Sequence, residues 1–151
     1  LEFRRVLFRS GYEYKESIKG LLKDLGYVYK DFGTDSPTSC DYTDYALVVG
    51  EHVANGDYDR GILICGTGIG MSIAANKVKG IRAALVENTY SALLTREHND
   101  SNVLCLGSRI VGLGLALEIV KIWLSGGFLE GKHARRIGKI ADYENKDYKE
   151  G

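Results

Sequence analysis

Short apolar runs punctuated by glycine, with helical periodicity between them, leave this chain few architectures to adopt. Runs over 27–32, 61–65, 82–86 and 102–106 have the length of buried strands. Apolar residues recur at helical spacing over 13–25, 41–54, 68–77, 89–97 and 113–124, and a more polar helix is predicted over 133–148. In the first helix the spacing is carried by Ile18, Leu21, Leu22 and Leu25, with Gly26 as its stop. In the second, Tyr45, Val48, Val49, His52 and Val53 form a candidate buried stripe. Strands alternating with helices imply right-handed crossovers onto a parallel sheet covered on both faces. The 151 residues suffice for one such domain. The predicted class is α/β: a three-layer α/β/α sandwich with a mainly parallel, five-stranded Rossmann-like sheet. Such sheets bind ligands at the carboxyl ends of their strands, near the switch in strand order.

A fifth strand is needed before the helix over 13–25. There, residues 1–10 read LEFRRVLFRS, with no initiating methionine. Written as CTG GAG TTC AGA CGT GTG CTC TTC CGA TCT, this decapeptide is the tail of a common sequencing adapter. Residues 1–10 are accordingly read as a non-native segment in the place of the first strand. Residues 11–151 are read as a single domain whose C-terminal helix begins near 133. The plainer alternative is a genuine basic strand centred on Val6, Leu7 and Phe8.

Lys and Arg total 20 and Asp and Glu total 20. A formal charge of zero argues against nucleic acid or an anionic membrane as the main partner. No apolar run reaches the length of a membrane span. Cys40, Cys65 and Cys105 make no CxxC pair, which fits a reducing cytoplasm. His52, His98 and His133 are widely separated in sequence, though folding could still gather them, so the sequence shows no metal-ligand cluster; the chain is expected to be cofactor-free.

The chemistry concentrates in Ile62-Leu63-Ile64-Cys65-Gly66-Thr67-Gly68-Ile69-Gly70-Met71-Ser72. A strand ending at Cys65 puts the thiol at the carboxyl edge of the sheet, beside a helix amino terminus. Unpaired amides there favour a thiolate and any oxyanion forming on a bound substrate. Thr67 adds a hydroxyl, and the alternating glycines let backbone approach a ligand closely. A purely structural turn is one alternative. Another is dinucleotide binding, with Glu87 as the ribose-binding acid; against it, Met71 stands where the last glycine of that fingerprint belongs. Cys105, inside an apolar run, reads as a space-filling core cysteine. His98-Asn99-Asp100 is a polar turn, and Lys132 and Arg136 lie one helical turn apart, where they could clamp a phosphate or simply face solvent.

Together these segments strongly resemble the type B ribose-5-phosphate isomerase family, which includes related hexose-phosphate isomerases. The resemblance runs from Gly11 to about Ile140. It takes in Asp31-Phe32-Gly33-Thr34, Asp41-Tyr42-Thr43-Asp44-Tyr45-Ala46, the run from Gly61 to Lys77, and Gly80-Ile81-Arg82-Ala83-Ala84. It continues through Arg96-Glu97-His98-Asn99-Asp100, Leu106-Gly107-Ser108-Arg109 and the segment from Gly131 to Arg136. It implies a cofactor-free aldose–ketose isomerase of a small sugar phosphate, assembled as a homodimer or tetramer with shared active sites. By resemblance, Cys65 is the base moving a proton between C1 and C2, and the backbone of Gly66, Gly68, Ile69 and Gly70 holds the enediolate, with Thr67 assisting. His98 helps open the sugar ring and Asn99 contacts substrate. Tyr42 lines the pocket, and Arg109, Lys132 and Arg136 meet the phosphate.

Ribose 5-phosphate is the favoured substrate, because galactose-type relatives resemble the Cys65–Thr67 loop less closely. A galactose- or allose-type hexose 6-phosphate isomerase and a non-catalytic sugar-phosphate or dinucleotide-binding module are the alternatives. Three positions depart from the family's pattern. Its Asp-His pair before Gly11 is Phe8-Arg9 here, its Asp-Tyr-Pro proline is Thr43, and its arginine before the last histidine is Lys132. The chain as written is therefore expected to be impaired. A helix ending near His98 has also returned to the amino edge of the sheet, a strand's length from Cys65. His98 is thus expected to serve the pocket of a neighbouring subunit.

Overall fold

Alternate side chains of two central strands decide the layers. In β3 (Arg60–Cys65) Ile62 and Ile64 enter one core and Leu63 the other; in β5 (Val103–Gly107) Leu104 and Leu106 oppose Val103 and Cys105 in the same way. Both faces are buried, so these strands read as continuous apolar runs. The computed structural model describes residues 5–9, 12–32 and 41–146. The other elements are β1 (Arg5–Arg9), α1 (Tyr12–Asp24), β2 (Val28–Asp31), α2 (Tyr42–Ala54), α3 (Ile69–Ala75), β4 (Ala83–Leu85), α4 (Thr89–Asn99), α5 (Leu113–Ser125) and α6 (Lys132–Glu144). The loop expected over 35–39, Gly11, Cys40 and the end of the expected last helix at 147–148 lie outside the described residues.

The five strands are parallel and run in the order β2-β1-β3-β5-β4. Residues 5–9 themselves supply the fifth strand. Backbone positions 8 and 9 lie beside Ile62 and Leu63, close to the end of β3. The chain reverses direction across the sheet between β1 and β3, which places Cys65 at the switch point. One core joins Val6, Ile18, Leu22, Ile119 and the fully buried Trp123; the other joins Ala46, Val49, Met71 and Ala75. Gly61 is required there, since a Cβ would meet Val49 at 2.8 Å. The short edge strand β4 is closed by Asn76, whose amide exchanges two hydrogen bonds with the Ala83 backbone at 2.8 and 2.9 Å. That blunts an edge otherwise open to pairing. No helix among the described residues is long and apolar enough to cross a membrane.

Candidate active site

β3 ends where its apolar register runs out, and Cys65 is left half-buried at the sheet edge. Gly68 then adopts a left-handed conformation, φ 77°. A side chain at Gly68 would meet Leu85 at 2.7 Å and the Leu106 carbonyl carbon at 2.8 Å. This turn aims the Gly68 N–H at Cys65, where it donates to Sγ at 3.2 Å. Thr67 Oγ1 accepts from the Ile69 N–H at 3.3 Å. The next strand's exit is stitched to the same loop. Ser108 N–H donates to the Cys65 carbonyl at 2.8 Å and Arg109 N–H to the Gly66 carbonyl at 3.0 Å. Gly107 makes room for this, because a Cβ there would lie 2.6–2.8 Å from the Thr67 backbone.

Two side chains flank the loop. Tyr42, at the start of α2, lies so close over Gly70 that a Cβ on the glycine would sit 2.5 Å from the ring. Arg109 runs past Gly66, its Cδ and Nε 3.7 Å from where that Cβ would be. Tyr14 holds the segment carrying Arg109, its hydroxyl donating to the Val111 carbonyl at 2.6 Å. A thiol, a set of amides and a guanidinium around an open edge can accept a proton and stabilise an anion. Among the described residues no three His, Cys, Asp or Glu side chains gather as metal ligands.

The remaining candidates stand at the opposite edge. α4 ends at Asn99, and His98 stacks on His133 from α6 with ring centroids 4.1 Å apart and planes 9° apart. Leu129 N–H donates to the Glu97 carbonyl at 3.1 Å, bringing the α6 amino terminus to this turn. Lys132 and Arg136 flank His133 on the first turn of α6, both exposed. Partial burial first, then His98, Lys132 and Arg136, lower the His133 pKa below its ordinary value. A cavity of about 470 Å³ nearby is lined by Asn99, Arg82, Ile137 and Glu144 among others.

The candidates thus form two groups. Tyr42, Cys65, Gly66, Thr67, Gly68, Ile69, Gly70 and Arg109 surround the end of β3, while His98, Asn99, Lys132 and Arg136 cluster before the start of β5. The register pairs Gly61 with Val103 and Cys65 with Gly107. At about 3.3 Å per residue those four steps alone separate the groups by about 13 Å. His98 is therefore a strand's length from Cys65 of its own chain. The dinucleotide arrangement is not built, because Glu87 follows β4, which β5 separates from β3. His133 was not among the sequence candidates. Its signal was present in its place one turn before Arg136, but nothing in the sequence announces the stack. Cys105 is fully buried in the second core, and desolvation raises its pKa far above the ordinary thiol range. The side chains of Phe8 and Arg9 lie outside what the structure describes.

A model of the Ribose/Galactose Isomerase family matches residues 9–140. Over 136 residues the chain is 48% identical to ribose-5-phosphate isomerase B of Escherichia coli (strain K12), covering 90% of this chain and 91% of the relative. The solved structure of ribose-5-phosphate isomerase B from Clostridium thermocellum matches with a TM-score of 0.89 at 53% identity, covering 93% of this chain and 97% of that one. That of the Mycoplasma genitalium enzyme with bound ribulose-5-phosphate matches with a TM-score of 0.91 at 41% identity, covering 97% and 99%.

Proposed function

The chain belongs to the ribose/galactose isomerase family, and within it we propose that Cys65 is the base that interconverts D-ribose 5-phosphate and D-ribulose 5-phosphate through an enediolate. The protein is a sugar-phosphate isomerase. In the open-chain aldose, the Cys65 thiolate takes the proton from C2 and the electron pair shifts toward O1. The proton is then returned at C1 while the hydroxyl proton passes from O2 to O1. Negative charge grows on O1 and O2, where the amides of Gly66, Gly68, Ile69 and Gly70 are the donors, with Thr67 beside them. Arg109, Lys132 and Arg136 bind the phosphate, whose binding energy holds the reacting carbons against the thiol. The observation that carries this reading is the 3.2 Å hydrogen bond from Gly68 N–H to the half-exposed Cys65 Sγ at the switch point of the sheet.

The two groups of site residues belong together only across subunits. A homodimer, or a tetramer built from it, would bring the turn with His98, Asn99, Lys132 and Arg136 to the partner's Cys65 loop. A two-fold axis would make both pockets equivalent. We place the enzyme in the cytoplasm. Residues 1–10 are read as non-native, and loss of the Asp-His pair that family members carry at positions 8 and 9 impairs this chain as written.

Mixing Cys65→Ala and His98→Ala proteins tests the shared pocket. Each alone is expected to keep only a small residual activity. Random reassortment should restore up to about a quarter of full activity, since half the dimers are mixed and one of their two pockets is intact. No recovery after reassortment shown by mass would contradict the shared pocket.

A further inference from the structure

We propose that Asp100 is a positioning residue that fixes the His98–Asn99 turn for the reaction, through the bridge its carboxylate makes between Arg96 and Arg82. The inference rests on the reading above, in which that turn serves the substrate.

Asp100 adopts φ 46°, a left-handed conformation that glycine takes without strain. The side chain that a glycine would lack is fully engaged. One carboxylate oxygen lies 2.9 Å from Arg96 and the other 3.4 Å from Arg82. Arg82 also donates to the Asn99 carbonyl at 3.0 Å and to the Asp100 carbonyl at 2.9 Å, capping the last turn of α4. Arg96 is 3% exposed and donates onward to the Ser101 carbonyl, while Trp123 Nε1 holds the Ser101 hydroxyl at 2.9 Å. Residues 99–101 are thus gripped on backbone and side chain.

Charge makes Asp100 the centre of this grip. Arg60 approaches the same cluster, and its pKa falls to about 10 through burial first and then the field of Arg96. Asp100 faces three guanidinium groups in a partly desolvated setting. Removing its charge leaves Arg96 buried without its counter-ion, a costly arrangement that a turn can relieve by moving. Backbone strain held by surrounding structure next to a candidate site is the pattern expected where geometry serves function.

The chain contains three histidines, which permits a direct readout. In Asp100→Asn, the imidazole C–H resonances of His98 and His133 should shift, because their stack rests on this turn, while those of His52 stay in place. In the chain and in its Phe8→Asp/Arg9→His form, kcat/KM should fall about 10- to 100-fold, the scale of a small misplacement. On a His98→Ala background, Asp100→Asn should cost less than about 3-fold more, since coupled residues do not add. Asp100→Gly, which removes the carboxylate at a φ that glycine takes without strain and leaves Arg82 and its backbone hydrogen bonds in place, should repeat the His98 and His133 shifts and decides the matter if Asp100→Asn does not fold. Unmoved His98 and His133 resonances overturn the proposal. So does an equal movement of all three histidines, or a full multiplicative loss on the His98→Ala background. If His98→Ala itself leaves turnover intact, the role given to His98 fails, and the resonances alone judge Asp100.

Discussion

Gly68→Ala should damage this protein far more than Gly66→Ala, although the two glycines are two residues apart in one loop. At Gly68 the backbone sits at φ 77°, and an added Cβ would lie 2.7 Å from Leu85 Cδ1, 2.8 Å from the Leu106 carbonyl carbon and 3.0 Å from its oxygen. The leucine methyl can yield, but the Leu106 backbone is part of a central strand and cannot. A left-handed alanine costs about 1–2 kcal/mol, and forcing atoms into a packed site costs about 1–3 kcal/mol more. The sum is about 2–5 kcal/mol. For a chain of this length each kcal/mol lowers Tm by about 2–4 °C, so a drop of at least about 4 °C is expected. At Gly66 the nearest atom to an added Cβ is Arg109 Cδ at 3.7 Å, an ordinary contact, with no left-handed φ. Its stability should change by less than about 0.5 kcal/mol. Thermal unfolding at one protein concentration gives the comparison, with concentration fixed because assembly shifts Tm. Isomerase activity should fall with stability in Gly68→Ala, because relieving the clash turns the Gly68 N–H away from Cys65. A Gly68→Ala protein melting within about 2 °C of the parent would refute the reasoning, as would equal losses at the two positions.

Phe8→Asp/Arg9→His should raise turnover of ribose 5-phosphate in a coupled assay, because those backbone positions lie at the end of β1 beside Ile62 and Leu63 of the Cys65 strand. No gain would count against residues 1–10 being non-native. His133 makes stability acid-sensitive. Its folded pKa is lowered, so above its unfolded value of about 6.5 both states are neutral, and as pH falls below that value the unfolded state binds the proton first and stability is lost. Tm measured at pH 7.5 and 5.5 should therefore drop, and His133→Asn should shrink the drop.

The strand ends and helix faces were largely legible because glycines and polar turns punctuate them. The run read as 61–65 folds as Arg60–Cys65, and the helix read as 13–25 folds as Tyr12–Asp24. Cys65 and its loop were legible because a strand, a thiol and spaced glycines have one natural arrangement. Strand order was not. Nothing local says that β5 inserts between β3 and β4, a choice made by long-range packing of Leu104 and Leu106. In α2, Val49 and Val53 are buried as expected, but Tyr45, Val48 and His52 are only half-buried, and His52, at the rim of that helix face, pairs with Asp57 at 2.9 Å. The Arg82–Asp100–Arg96 bridge also escaped, since helical periodicity marks apolar faces and carries no signal for a buried arginine.

Cys65→Ala is the most direct test of the proton-transfer role. With ribose 5-phosphate, kcat should fall by at least about 100-fold, the lower range for loss of a general base. Binding of ribulose 5-phosphate measured by calorimetry should persist within a few-fold. Turnover within about 3-fold of the parent would mean that another group moves the proton.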